Sequence, residues 1–260
     1  DYKGVEDKAD MLAPYADRIK SDRPLHLGTL ERYILLINDV SGVGIDPRLR
    51  PINEAEGRYA LVLDVGYKAL DGLAYVNNRG TPSVGRLQGW LSAGMNSVFG
   101  LRERFQLGFF TIPHQPKELL YYDATYTQPI GSDGFHVSVV ASASDLDAGS
   151  ELDATEVESG SSRLQLSAWY PIIRSSKQNL WLTGTLHYQD FRETSFEQTT
   201  IADRLRVARL RLNYWQSHDG GSTNISFEGS QGLNVLDATE QNSTNLSRAD
   251  GRSDFTKFTL

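Results

Sequence analysis

The stretch that decides the fold is residues 205–215, which read LRVARLRLNYW. Apolar side chains alternate there with polar ones, among them Arg209 and Arg211. Successive side chains of a β-strand point to opposite faces of a sheet, so the stretch predicts a strand with one apolar and one polar face. If Leu210 and Leu212 face lipid, the arginines face a water-filled lumen. The reverse orientation would cost about 2 to 4 kcal/mol for each arginine near the middle of a bilayer.

The next strand along the chain supports the same orientation. With Ile225 and Phe227 toward lipid, Glu228 points into the lumen, where it is expected to pair with Arg209 and Arg211. A soluble sheet whose arginines face bulk water has the same alternation, so a soluble β-rich binding protein remains an alternative.

The same alternation recurs along residues 87–227, in runs of roughly ten residues separated by turns. Together with a run before them, these predict antiparallel strands centred near Tyr75, Trp90, Leu107, Tyr122, Val139, Leu166, Thr185, Leu210 and Phe227. Compact connections are predicted at residues 97–102, 130–134, 171–178 and 217–221, and long ones at 145–160 and 231–253. Short turns on one side and long loops on the other are typical of an outer-membrane barrel.

Composition excludes several classes of protein. The chain has 260 residues, of which 39% are hydrophobic, and it contains no stretch of eighteen apolar residues that would predict a transmembrane helix. Its net charge of −7 argues against a nucleic-acid partner. There is no cysteine, and the five histidines are scattered without the spacing of metal ligands. We therefore expect no catalytic residue, no metal, no cofactor and no small-molecule substrate.

The first seventy residues follow another pattern, in which two helices precede two strands. The first helix is predicted from Val5, Ala9, Leu12, Ala16 and Ile19, with Pro14 expected to kink or shorten it. The second helix is expected to start at an N-cap, Thr29, to carry Leu30, Tyr33, Ile34 and Ile37 on its apolar stripe, and to end at Gly42. The strands are predicted at residues 43–50 and 58–65. This order indicates a two-layer α/β unit, with its first strand expected before residue 1.

Several short motifs occur in the order in which they occur in a known family. They are RPL (23–25), LER (30–32), LLIND (35–39), GV (42–43), VNNRGT (76–81), YTQPIG (126–131), YPI (170–172), DRLR (203–206) and LSRA (246–249). Together they resemble the outer-membrane transporters of two-partner secretion, the ShlB/FhaC/HecB haemolysin secretion and activation proteins of the Omp85 superfamily.

This resemblance implies an α+β POTRA domain followed by antiparallel transmembrane β-barrel strands that form a partial barrel. Residues 1–69 would be the second POTRA domain, in the periplasm, and residues 70–260 the N-terminal part of the barrel, in the outer membrane. The family's plug helix, first POTRA domain and C-terminal barrel half, with its Val-Arg-Gly-Tyr motif, have no counterpart here. The chain would thus be about half of a transporter.

The implied function is export of a large secreted partner, an adhesin or haemolysin, whose N-terminal secretion domain would bind the POTRA domain by strand addition. The groove would lie between the second helix and the following strand. Its expected residues are Leu30, Arg32, Tyr33, Ile34, Ile37, Val43 and Ile45. Outer-membrane lipid is the other expected partner. An Omp85-type insertase of barrel proteins is a second alternative, beside the soluble binding protein.

Overall fold

The computed structural model describes residues 2–3, 9–53, 56–81, 85–147, 156–241, 243–249 and 251–260. Within these residues the helices are α1 (Ala9–Ser21) and α2 (Leu27–Asn38). The strands are β1 (Tyr2–Lys3), β2 (Val43–Asn53), β3 (Arg58–Tyr67), β4 (Leu70–Asn77), β5 (Gln88–Asn96), β6 (Arg104–Thr111), β7 (Leu119–Ile130), β8 (Phe135–Asp147), β9 (Val157–Arg174), β10 (Gln178–Ser195), β11 (Gln198–His218), β12 (Gly221–Gly232) and β13 (Thr256–Thr259). Among the described helices, none has the length and apolar character needed to cross a bilayer.

Most of the chain forms one antiparallel sheet of ten strands, in which β4 to β13 follow one another in chain order. The strands lengthen from 8 residues in β4 to 21 residues in β11. Every predicted strand centre lies inside one of the strands β4 to β12, so the prediction of antiparallel strands is confirmed. The tenth strand, β13, was not predicted, because its four residues are too few to show an alternation.

The register of the ten-stranded sheet separates apolar from polar side chains. Leu210 and Leu186 lie on one face and remain 57% and 54% exposed. Thr185 and Arg209 are directly paired on the opposite face. A soluble sheet would cover an apolar face of this kind with a second layer. An exposed apolar face backed by a polar one is the arrangement that the wall of a membrane barrel requires.

The remaining elements form a small α/β unit with its own core. Helices α1 and α2 pack on a three-stranded sheet of order β1-β3-β2. The buried core consists of Met11, Leu12, Tyr15, Leu36, Ile37, Val40, Val43, Leu63 and Val65. The small sheet ends at Tyr67 and the large sheet begins at Leu70. The two layers are those that the order of helices and strands predicted.

Helix α1 is not divided by its proline, and the expected kink at Pro14 stays a prediction. It runs without interruption from Ala9 to Ser21 although Pro14 lies inside it. Pro14 lies on the exposed side of the helix, whereas Leu12 and Tyr15 on either side of it are buried in the core. Packing therefore compensates for the one backbone hydrogen bond that a proline removes. Val5, which was predicted in the same stripe, lies outside the described residues.

Helix α2 begins earlier than predicted, because its start is capped from outside. It starts at Leu27, and the carboxylate of Asp22 accepts the backbone N–H of His26 at 2.9 Å. This bond is the main cause that lowers the pKa of Asp22 to about 2. The predicted N-cap, Thr29, is thus already in the first turn. The helix ends at Asn38, and Gly42 lies in the turn that follows, at φ +78.

The first strand of the small unit is present, contrary to the expectation that it precedes residue 1. Strand β1 runs parallel to β3, with Tyr2 opposite Leu63 and Lys3 opposite Asp64. Two residues cannot show an alternation of apolar and polar side chains, so no sequence pattern marks this strand.

Candidate functional site

The small unit is fastened to three turns of the large sheet. These turns are residues 97–103 between β5 and β6, residues 131–134 between β7 and β8, and residues 175–177 between β9 and β10. All are short connections at one end of the sheet, and they are contacted by α1, α2 and the adjoining segments. We call this contact the docking interface.

The turn between β7 and β8 receives the largest number of these polar contacts. The hydroxyl of Tyr33 donates to Asp133 Oδ1 at 2.7 Å, and Arg18 Nη2 donates to Asp133 Oδ2 at 2.8 Å. Arg32 Nη2 donates to the carbonyl oxygens of Asp133 and Pro171, at 3.1 and 2.9 Å. Burial and the bond to Asp133 raise the pKa of Tyr33 to about 12, so its hydroxyl stays protonated and keeps donating.

The end of β9 and the turn after it are held by two acidic side chains. Arg174 donates from Nη2 and Nε to the two carboxylate oxygens of Asp39, at 2.7 and 2.8 Å. The carboxylate of Glu31 accepts the hydroxyl and the backbone N–H of Ser176, which together lower the pKa of Glu31. Two-point pairing of a guanidinium with a carboxylate fixes orientation as well as distance. The docking interface therefore sets the angle of α2 to the sheet.

The first turn adds a contact to α1. Arg102 Nη1 donates to the hydroxyl of Tyr15 at 3.1 Å and to the carbonyl of Gly131 at 2.7 Å. Its guanidinium also lies over the Tyr15 ring, 5.4 Å from the centroid. Arg102 thus joins two turns of the large sheet to the core of the small unit.

The residues predicted to form a groove lie in three places. Leu30, Ile37 and Val43 are at most 9% exposed, so their side chains are not available at the surface, and Ile37 and Val43 belong to the core. The apolar stripe of α2 is used to hold the unit together, which is the usual role of such a stripe.

The other predicted groove residues are at the surface but apart. Arg32 and Tyr33 are engaged in the docking interface. Ile34 on α2 and Ile45 on the edge strand β2 are half-buried. The backbone N–H of Ile45 donates to Asn38 Oδ1 at 3.0 Å. The structure therefore does not bring the predicted residues into one open groove.

The residues predicted to face a lumen do lie together. Arg211 is directly opposite Glu228, and its Nε donates to Glu228 Oε2 at 2.9 Å. Arg209 Nε is 3.9 Å from Glu228 Oε1. The expected pairing of Glu228 with the arginines is therefore present. These three line an open cleft of about 370 Å³ on the polar face, with Ser138, Gln165, Ser167, Trp169, Thr183 and Thr185.

A second polar cluster, which the sequence did not reveal, lies at the far end of β10 and β11. Arg206 is 3% exposed and its guanidinium lies over the Tyr188 ring, 3.4 Å from the centroid. It donates to the carbonyl oxygens of Leu236, at 3.1 Å, and Gln189, at 3.0 Å, and it pairs with Asp190 at 2.7 Å. Arg206 thus anchors the connection between β12 and β13. Within the described residues, no three potential metal ligands form a group.

Comparisons with known proteins agree with this architecture. The family model described as haemolysin secretion/activation protein ShlB/FhaC/HecB matches residues 62–260, which include the whole large sheet. No curated protein sequence matches significantly.

Solved structures extend the likeness to the small unit. CdiB from Escherichia coli is similar with a TM-score of 0.76 and 16% identity, over 97% of this chain and 48% of that one. CdiB from Acinetobacter baumannii is similar with a TM-score of 0.60 and 14% identity, over 80% of this chain and 40% of that one. BamA from Haemophilus ducreyi lacking POTRA domains 1-3 is similar with a TM-score of 0.51 and 9% identity, over 90% of this chain and 47% of that one. At these identities the likeness shows the fold, and the chain spans about half the length of the structures it matches.

Proposed function

Because this chain belongs to the ShlB/FhaC/HecB haemolysin secretion/activation family, we propose that it is part of an outer-membrane translocator, which exports a large secreted partner by two-partner secretion. The observation that carries the proposal is the ten-stranded antiparallel sheet, whose one face is apolar and exposed while the other is polar. Such a sheet can form part of a barrel wall between lipid and a wet pore. The proposed function requires no catalytic residue.

The small unit acts in this proposal as a POTRA domain on the periplasmic side. Its helices contact the short turns of the large sheet, at the ends of β5, β7 and β9. At the other end, residues 233–255 form a much longer connection between β12 and β13, although residues 196–197 alone join β10 to β11 there. In outer-membrane barrels short turns face the periplasm and long loops face outside, so the small unit would meet the partner before the pore does.

The polar face of the sheet would then line the path of export. Arg209, Arg211 and Glu228 form a charged cluster on it, surrounded by hydroxyl and amide side chains. An unfolded chain passing this cleft exchanges hydrogen bonds with water for hydrogen bonds with short polar groups. Among the residues that line the cleft, Trp169 is the one large aromatic side chain. We infer that a mainly polar wall of this kind suits the passage of a chain better than its tight binding.

The test is secretion by the full-length parent protein. We expect that deleting its gene leaves a co-produced exoprotein of the same locus inside the cell, and that restoring the gene returns the exoprotein to the medium. Unchanged secretion in the deletion strain would contradict the proposal. If the deletion instead lowered the amounts of other outer-membrane barrels, the protein would be an insertase, an outcome that the likeness to BamA makes worth measuring.

A further inference from the structure

The apolar face of the large sheet changes character at the end that lies away from the docking interface. Every second residue of a strand returns to the same face. Arg192 is six residues beyond the exposed Leu186 on β10, and Arg204 is six residues from the exposed Leu210 on β11. Arg192 lies opposite Ala202, two residues from Arg204, so the two arginines are diagonal neighbours on adjacent strands. The face that is apolar in the middle of the sheet therefore carries two arginines near its end.

These two arginines line an open cleft of about 630 Å³. Both side chains are exposed. Arg192 Nη2 donates to Thr199 Oγ1 at 2.6 Å, which leaves the other N–H groups of its guanidinium for a ligand. The neighbouring strands contribute small side chains to the lining, namely Ala143, Gly160 and Ser162. The cleft therefore has room for a bulky polar group beside the two arginines.

The lining of the cleft carries a net positive charge. Its two carboxylates are those of Asp145 and Asp190. Asp190 pairs with the buried Arg206 at 2.7 Å, so its charge is already balanced. Arg192 and Arg204 are then opposed by the one carboxylate of Asp145, and one positive charge remains in excess. Guanidinium groups bind phosphate through two parallel hydrogen bonds, so a phosphate group is a suitable ligand.

A tight turn in the connection between β12 and β13 brings apolar side chains to the same region. The turn is closed by the N–H of Ala238, which donates to Val235 O at 3.1 Å. It lies on the apolar face, because Arg206 of that face donates to Leu236 O at 3.1 Å. Leu236 has a φ of +52, which leucine rarely adopts, and Val235 and Leu236 are 51% and 73% exposed. Arg206 is two residues nearer to the apolar band than Arg204, so the turn lies nearer to the middle of the membrane than the arginines do.

We propose that this cleft binds a phosphorylated lipid of the outer leaflet, with Arg192 and Arg204 on a phosphate group and Val235 and Leu236 against the acyl chains. The proposal rests on the proposed function, which places this end of the sheet outside. A phosphorylated lipid presents acyl chains nearer to the membrane centre and phosphate further out, in the same order as the turn and the arginines. A soluble anion would use the arginines but not the turn. In an outer membrane, the phosphorylated lipid of the outer leaflet is the glycolipid lipid A.

The experiment measures binding of lipid A to the full-length parent in detergent. We expect the double variant Arg192→Gln/Arg204→Gln to bind at least tenfold more weakly, because losing one hydrogen bond to a charged group already lowers affinity about tenfold. Arg163→Gln is the matched control and should bind normally, because Arg163 is an exposed arginine at the same level of the sheet on the opposite, polar face. Leu236→Ser should weaken binding roughly two- to tenfold, since it removes apolar surface from the contact.

Several outcomes would overturn the proposal. One is a double variant that is folded, as its migration on gels before and after boiling shows, and that binds lipid A as tightly as the unchanged protein. Another is a loss of affinity in Arg163→Gln as large as in the double variant. Unchanged binding by Leu236→Ser would overturn the contact with the turn.

The unchanged protein provides a test that does not depend on any variant. It should bind lipid A at least tenfold more tightly than the same lipid after removal of its phosphates, and equal binding of the two would overturn the proposal. Binding of phosphatidylglycerol as tight as that of lipid A would assign the cleft to phospholipids instead. Secretion is measured separately by gene deletion. A parent that exports its partner without binding lipid A would keep the proposed function and lose this site, whereas a parent that binds lipid A without exporting a partner would do the reverse.

Discussion

Asp39 and Arg174 are the best-shielded ion pair of the docking interface, with side chains 24% and 17% exposed. We predict that Asp39→Asn or Arg174→Met lowers the free energy of unfolding in detergent by about 2 kcal/mol, because each change leaves a half-buried charged group without its partner. The double variant should lose little more than either single one. Denaturant titration of the four proteins measures this coupling.

Arg18→Met provides the control for that measurement. Arg18 pairs with Asp133 across the same interface, but the two side chains are 53% and 41% exposed. Exposed pairs contribute about 0 to 1 kcal/mol because water screens them. The prediction would be wrong if Arg18→Met lowered the free energy of unfolding as much as Arg174→Met does. It would also be wrong if the losses of free energy at Asp39 and Arg174 were additive in the double variant.

Asp22 gives the small unit a dependence on pH. Its pKa is lowered from 3.8 to about 2, first by the backbone N–H of His26 and then by Thr29. A lowered pKa stabilises the folded state above the unfolded value, and that contribution is lost as pH falls through the folded value. We predict that Asp22→Ala lowers the thermal midpoint most above pH 4 and hardly at all near pH 2.

At the scale of the element, β11 tests which face of the sheet meets lipid. Residues 1–260 contain no cysteine, so a single cysteine introduced here is the one thiol of this part of the protein. In the full-length parent in outer membranes, cysteine at Arg209 or Arg211 should react with a water-soluble thiol reagent. Cysteine at Leu210 or Leu212 should react poorly, because lipid covers it. The opposite labelling pattern would mean that the two faces have been exchanged.

The connection between β12 and β13 depends on one arginine. Arg206→Lys keeps a positive charge near Asp190, but an ammonium group cannot reproduce the planar contacts with the Leu236 and Gln189 carbonyls and with the Tyr188 ring. We predict that residues 233–255 are cut by protease markedly faster in this variant. Arg204→Lys, at an exposed position nearby, is the control. Equal cutting rates in all three proteins would show that Arg206 does not anchor the connection.

How far the sequence predicts this structure depends on how far apart along the chain the interacting residues lie. The strands β4 to β12 were predicted, because alternation is a local property of about ten residues. The ion pair of Asp39 with Arg174 was not, because its partners are 135 residues apart and each is an ordinary surface charge in its own segment. The groove residues illustrate the same limit. Of the predicted apolar stripe of α2, Leu30 and Ile37 are buried, but Leu36, which the stripe did not include, is also buried, and Tyr33 contacts Asp133.

At the scale of the whole molecule, the exposed apolar face predicts where the parent protein resides. In a water-soluble protein, covering this face would stabilise the fold by about 25 cal/mol for each Å² of apolar surface removed from water. We therefore expect the full-length parent to sediment with outer membranes and to migrate differently on gels before and after boiling, as closed barrels do. Recovery from the periplasm without detergent would contradict this prediction and favour a soluble binding protein.

The strand order has a consequence for how such a wall can change in size. Each strand from β4 to β13 pairs with its neighbours in the chain, so no hairpin depends on a distant crossover. If β7 and β8 were removed together, β6 and β9 would become neighbours. They would still run antiparallel, and their apolar side chains would still lie on the same face of the sheet. The circumference of the barrel can therefore grow or shrink by two strands at a time. Duplication of a single hairpin gives evolution a direct route to a wider pore.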